Sequence, residues 1–312
     1  MKIMITGGTG FVGSHLTDTL LNDDNEIMIV SKTDSKSNNI SHLTSKIILN
    51  YTDITNFKKF GETIESFQPD TIVHLAGETS HSISFENPLN NVDSNTKSTL
   101  FILEKIRQMN YDCKLILGST FVVIGKPLEL PVNEESQCNP TTIYGANRLA
   151  SEHYCKIYEN VYGIDTRIFR ITNSFGPREQ IIPKKNAVNY LIYNAFKQKE
   201  ISIYNEGKFF RDLIYVEDVV SGIKTIMRNG KKGDLYWISS FEKTWFYQLA
   251  EWLNDLTKTP IKYIESPNYT KKVDVGNFLA DNSKLKSIGW VPKYSIKKGI
   301  QKTLDYFKSV NM

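Results

Sequence analysis

Residues 6 to 16 read TGGTGFVGSHL and begin on the last residue of the apolar run KIMIT (2 to 6). Gly7, Gly10 and Gly13 recur at three-residue intervals between this strand-like run and a stretch of helical spacing over 11 to 21. A turn this tight needs backbone angles that glycine adopts without strain; a second glycine lets a pyrophosphate approach the main chain, and a third lets helix and strand pack closely. The N–H groups at the start of the helix, around Phe11 and Val12, are then free to meet phosphate oxygens. A glycine turn alone says little. Its placement between strand and helix is what identifies a dinucleotide site.

The same alternation continues. EIMIV (26 to 30), KIILN (46 to 50), TIVHL (71 to 75), KLILG (114 to 118) and DTRIFRI (165 to 171) are short, apolar and bounded by polar or glycine signals, as strands are. Residues 55 to 67, 89 to 109 and 142 to 161 carry helical spacing between them, with Leu100, Leu103 and Ile106 sharing a face. Strand and helix in alternation predict an α/β fold, a doubly wound Rossmann-type parallel sheet with helices on both sides. After about residue 172 the pattern loosens into GPRE, a helix-like NAVNYLIYNAFK, and strands around ISIY and RDLIYV. We therefore expect a dinucleotide-binding domain over 1–172 and, mainly over 173–312, a smaller C-terminal α/β substrate lobe, with some segments returning to the first domain. SKTDSKSNNIS (31 to 41) reads as loop.

Composition narrows the function. The 312 residues are 40% hydrophobic and 23% charged, the mixture of an ordinary globular protein. No apolar stretch is long enough to span a bilayer, and the opening MKIMITGG lacks the basic lead and cleavage signal of a secretory peptide, so a cytoplasmic protein is expected. The net charge of +4 comes from scattered lysine pairs, whereas a nucleic-acid binder concentrates them on one face. Three cysteines and five histidines show neither CxxC nor HExxH spacing, so no metal is expected. His74 and His81 read as structural.

After the second strand an NAD site usually places an acid to grip the adenosine ribose, whereas a 2'-phosphate needs cationic or hydroxyl donors. Ser31 and Lys32 stand at that point and Asp34 comes slightly late, which favours NADP(H), with NAD(H) as the alternative.

These residues resemble the extended short-chain dehydrogenase/reductase family, the nucleotide-sugar epimerases, dehydratases and reductases. The resemblance runs nearly end to end: TGGTGFVG, TDI (52 to 54), HLAG (74 to 77), NPLNNVDSN ending at Asn95, LGSTFVVIG (117 to 125), YGANRLASE (144 to 152), RITNSFGPR (170 to 178), RDLIYVEDV (211 to 219) and ADNSKLKSIGW (280 to 290). It implies cofactor contacts at Asp53, Ile54, Leu75, Ala76, Gly77, Asn95, Tyr144 and Arg148 besides the glycine turn. It also implies catalytic roles for Thr120, Tyr144 and Arg148: Tyr144 passes the proton, Thr120 holds the same sugar oxygen, and the cation holds the nicotinamide ribose and lowers the phenol pKa. The family pattern is YxxxK, and this chain has YxxxR. Arginine keeps the charge, but its planar fork is longer and differently aimed than an ammonium.

Dehydratases of this family resemble one another in a Thr-Asp-Glu run; the equivalent here is Thr120, Phe121, Val122. That leaves reductase or epimerase. The expected NADP(H) preference favours reduction of a 4-keto-deoxy sugar nucleotide; the alternatives are a C4 epimerase with retained NAD and a non-catalytic dinucleotide-binding regulator. By resemblance, substrate contacts fall on Thr79, Thr120, Asn173, Arg211 and Lys271, the last standing where the family has an arginine. The partner is a nucleotide-diphosphate sugar. Helices over 89 to 109 and 142 to 161 resemble those that pair family members into homodimers.

Overall fold

The computed structural model describes residues 1–32, 37–182, 186–267 and 273–310. Seven parallel strands form its main sheet: β1 (Lys2–Thr6), β2 (Glu26–Ser31), β3 (Ile48–Tyr51), β4 (Thr71–His74), β5 (Lys114–Thr120), β6 (Thr166–Ile171) and β10 (Leu235–Ile238). Their order across the sheet is β10-β6-β5-β4-β1-β2-β3. The chain leaves β1 in one direction towards β2 and β3 and later resumes on the other side of β1 with β4. The crevice at the carboxyl ends of β1 and β4 is the switch point where open α/β sheets bind ligands.

Helices cover both faces. On one side α1 (Phe11–Leu21) and α8 (Val216–Asn229) pack together over Ile3, Ile5, Ile29, Val73, Ile116 and Ile238. On the other, α2 (Phe57–Phe67), α5 (Ser98–Met109) and α6 (Ile143–Tyr162) bury Met4, Val30, Ile72, Leu115 and Ile168. Strands enclosed on both faces read as unbroken apolar runs, as KIMIT and KLILG do. Helix ends follow local chemistry. Asn56 caps α2 by accepting from Lys59 N at 3.2 Å, and Thr142 caps α6 by accepting from Gly145 N at 3.0 Å. Gly163 closes α6 in a left-handed conformation, φ +67°.

The stretch expected as one helix over 89 to 109 is helical throughout but not uniform. A short α4 (Pro88–Asn91) runs into a π-helical turn, Val92–Lys97, and then into α5. A 3-10 helix, Ser37–Leu43, starts inside the segment read as loop (31 to 41), runs two residues past its end, and buries Ile40 and Leu43. Its polar composition concealed two apolar residues three apart.

The remaining elements build the smaller lobe. β7 (Asn173–Phe175), β9 (Phe210–Tyr215) and β11 (Lys243–Trp245) form one sheet, and β8 (Ile201–Tyr204) with β12 (Ile261–Ile264) another. Helices α7 (Ala187–Phe196), α9 (Phe246–Thr257) and a C-terminal α11 (Ile296–Ser309) pack around Phe175, Leu213, Tyr215, Leu249 and Phe307. A five-residue α10 (Ser283–Ser287) lies against β10. Among the described residues no helix is long and apolar enough to cross a membrane.

Candidate active site

A cleft of about 1770 Å³ opens between the carboxyl ends of the main sheet and the smaller lobe. It is lined by Gly7, Gly10, Phe11, Val12, Gly13, Ser31, Lys32, Asp53, Ile54, Leu75, Ala76, Gly77, Thr79, Thr120, Tyr144, Arg148, Asn173 and Arg211. Residues spread over two hundred positions are thus brought to one surface. Asn95 does not line the cleft: it is fully buried in the π-helical turn, where its amide donates to Glu78 O at 3.1 Å and Asn91 O at 3.0 Å. Lys271 and Asp34 lie outside the described residues.

The glycine turn is built for close approach. Gly7 has φ +74°, and a Cβ there would stand 2.9 Å from Ala76 N. A Cβ on Gly13 would stand 2.3 Å from Gly7 O, so only hydrogen fits between turn and helix. At Gly10 a Cβ would meet only Gly7 O, at 3.1 Å, which leaves its other side open to the cleft. Gly10 also occupies the N-cap of α1 without a side chain to cap it. A bare helix start beside open backbone suits a pyrophosphate. These residues fit a dinucleotide.

Beyond β2, Ser31 and Thr9 share a hydrogen bond of 3.0 Å between their hydroxyls. Lys32 Nζ stands 3.1 Å from Asp53 Oδ2, so the cation set aside for a 2'-phosphate is answered by a carboxylate. Asn39, which sequence reasoning missed, donates to Thr9 O at 3.0 Å and to Arg178 O at 3.2 Å. It ties the glycine turn to the segment after β7. Nothing in SKSNNIS marks it except its place one before the buried Ile40 and four before the buried Leu43.

Thr120 ends β5, and its Oγ1 accepts from Val122 N at 3.3 Å, which leaves its hydrogen for another acceptor. Tyr144 lies in the first turn of α6, and no described residue hydrogen-bonds its hydroxyl. Arg148, one turn on, is 2% exposed. Its Nη1 donates to Gly118 O at 3.1 Å and its Nη2 to Ala76 O at 3.4 Å, while Cζ lies 5.8 Å from the centre of the Tyr144 ring. The fork therefore grips the ends of β4 and β5 and holds a permanent charge beside the phenol. Its Nε is buried without a partner among the described residues. Gly77 makes room for this: at φ +152°, a Cβ would stand 2.6 Å from Arg148 Nη2 and 2.3 Å from Asn95 Oδ1.

Behind these groups, Glu152 joins α6 to the sheet. It receives Arg170 through Nε at 3.0 Å and Nη2 at 2.7 Å, and Ser119 Oγ at 2.5 Å. Both charges are 2% exposed or less. On the lobe side the buried Arg211 donates to Gly276 O and pairs with Asp274, its guanidinium 5.1 Å from the Phe209 ring centre. Asn173 Oδ1 is buried with no partner among the described residues. Glu78, His81 and Arg178 also line the cleft. Among the described residues no cluster of His, Cys, Asp and Glu could hold a metal ion.

Fold and cleft together are those of a Rossmann-type dinucleotide-binding protein, with hydroxyl side chains along the cleft. The chain belongs to the extended short-chain dehydrogenase/reductase family, the NAD-dependent epimerases and dehydratases of nucleotide-linked sugars; the matching family model, described as GDP-mannose 4,6 dehydratase, spans residues 4–303. The chain is 29% identical over 312 residues to a Methanocaldococcus jannaschii protein named "Putative UDP-glucose 4-epimerase", with 99% of each chain covered. It is 27% identical over 340 residues to the CDP-paratose 2-epimerase of Salmonella typhi, covering 99% of this chain and 100% of that one. The crystal structure of UDP-glucose 4-epimerase with UDP-glucose from Thermotoga maritima superposes with a TM-score of 0.92 at 26% identity and 100% coverage of both chains.

Proposed function

We propose that this protein is a nucleotide-sugar epimerase that oxidises a secondary sugar hydroxyl and reduces the resulting ketone from its other face, with NAD retained throughout. The observation that carries this reading is the meeting of Thr120, Tyr144 and Arg148 on one wall of the cleft, with Phe121 and Val122 where dehydration would need acids. When bound, the nicotinamide supplies hydride acceptance and return. Tyr144 accepts the hydroxyl proton and gives it back, with the guanidinium of Arg148 beside its ring. Thr120 donates to the same sugar oxygen. Arg211 and Asn173 hold the nucleotide diphosphate, and the lobe mainly over 173–312 closes the substrate against the dinucleotide domain over 1–172.

NAD is preferred to NADP here because Lys32 is paired with Asp53, which weakens the argument that favoured a reductase. The names of the full-length relatives point the same way. Reduction of a 4-keto sugar nucleotide is the second reading, supported by Ser31 and by the exposed position of Lys32, whose ammonium retains the freedom to leave Asp53. Incubating the protein with NAD(H) or NADP(H) and a panel of nucleotide-linked sugars separates the two. Isomerised sugar without net cofactor consumption supports the epimerase; stoichiometric NADPH oxidation establishes the reductase.

A homodimer completes the proposal. Ile157, Val161 and Tyr162 expose apolar surface on α6, beside α5. Sedimentation should give twice the chain mass, and Val161→Lys should lower it to one.

A further inference from the structure

Among the groups lining the cleft, His81 is unassigned by the chemistry described so far. It opens the helix α3 (His81–Glu86), after Ser80, which caps that helix by accepting from Ile83 N at 3.3 Å. Its ring lies against Tyr144, centroids 5.8 Å apart and planes inclined by 42°. The imidazole is half-buried and borders the same cleft as Thr79, Ser82 and Thr120. None of the described residues hydrogen-bonds either ring nitrogen. His74 differs: it is fully buried, with both nitrogens engaged, by Thr6 and Ser98. A histidine that serves only packing resembles His74, because a desolvated ring nitrogen without a partner is costly.

We propose that His81 is a further substrate-contacting residue, its imidazole hydrogen-bonding a sugar oxygen on the Tyr144 side of the cleft and so selecting which sugars are accepted. The inference rests on the nucleotide-sugar reading above. Burial lowers the imidazole pKa below its ordinary value, so near neutrality the ring is uncharged. One nitrogen then donates and the other accepts. Such a group can serve a hydroxyl as donor or as acceptor, and it can serve a ketone as donor. An oxygen that alternates between the two states, or the hydroxyl beside it, keeps a partner in both. Arg148 cannot do this: it only donates, never loses its proton, and is already committed to Gly118 and Ala76. The segment from Glu78 to Ser82 thus supplies a sugar-facing wall with one residue able to read a hydroxyl in either sense.

The test uses the full chain with NAD, and the glucose conjugates of UDP, CDP, GDP and dTDP beside the matching bare diphosphates. The imidazole resonances of His81, assigned by their absence in His81→Phe, should shift on adding a sugar conjugate but not its bare diphosphate. His81→Phe keeps a flat ring and should lower kcat/KM for that sugar about tenfold to a hundredfold, the range for an unpaired polar contact. Its affinities for NADH and for the bare diphosphate should stay within about twofold, and His81→Asn should recover part of the loss. A conjugate that binds and turns over while the His81 resonances stay still, or while His81→Phe is unimpaired, overturns the proposal and leaves the epimerase intact. If no conjugate binds the wild-type chain more tightly than its bare diphosphate, the function reading falls and this inference falls with it.

Discussion

Arg148 meets two carbonyl oxygens, Gly118 O and Ala76 O, and each reading of the site turns on that grip. A lysine at this position keeps the charge, but one ammonium on a shorter stem cannot reproduce the fork. Arg148→Lys should therefore cost about 1–3 kcal/mol, the penalty for leaving a buried carbonyl unsatisfied, read as a lower urea midpoint. Turnover should fall with it; a rise would mark the arginine as decayed chemistry. Tyr144→Phe removes only a hydroxyl. It should lower kcat by about 10²–10⁴-fold while NADH binding, followed by fluorescence, stays unchanged. Residue identity at these positions was legible from order along the chain: Thr120, Tyr144 and Arg148 fall after the expected strand and on the expected helix. Orientation was not. That Asn95 turns into the protein towards Glu78 O, or that Lys32 meets Asp53, depends on chain segments distant in sequence.

At the scale of elements, α6 carries Tyr144 and Arg148 at its start and Glu152 two turns in, where it locks onto β5 and β6. Glu152→Gln leaves Arg170 buried without its charge partner and should destabilise the fold by about 3–5 kcal/mol in urea titration. Replacing both Glu152 and Arg170 by methionine should recover much of that loss, since the desolvation penalty goes with the pair. The sequence periods located β1 over residues 2–6 and α1 over 11–21 as the structure has them. Both are short elements with strong local signals. LYWI, the strand β10, was not read, because nothing in four apolar residues says that a strand so late in the chain rejoins the first sheet. α8 was missed for a related reason: it follows Tyr215 of β9 directly, and its first residue, Val216, prolongs the apolar run before Glu217 and Asp218, so no turn residue separates strand from helix.

For the molecule as a whole, stability should depend on pH through His74. Burial, reinforced by the charge of Arg148, pulls its pKa from 6.5 to about 3. Between those values the folded chain holds the ring neutral while the unfolded chain protonates it. The stabilisation is complete above about pH 6.5 and is lost as pH falls towards 3. Asp212 acts in the opposite sense, because burial raises its carboxyl pKa to about 6 and protonation there favours the folded chain. The contribution of His74 is therefore a difference: between pH 7 and 5, wild-type protein should lose more stability to acid than His74→Gln, which cannot titrate. Equal losses would mean that the ring is protonated in the folded state.

The pairing of β10 with β6 bears on how the chain is made. Synthesis runs from the N-terminus, and domains generally fold as they emerge. Here β6 ends at Ile171, and its neighbour is complete only at Ile238. While the intervening residues leave the ribosome, the nascent sheet presents β6 as an open edge, a template for strands of other chains. Crowded polysomes would then be the setting in which this protein most needs a chaperone.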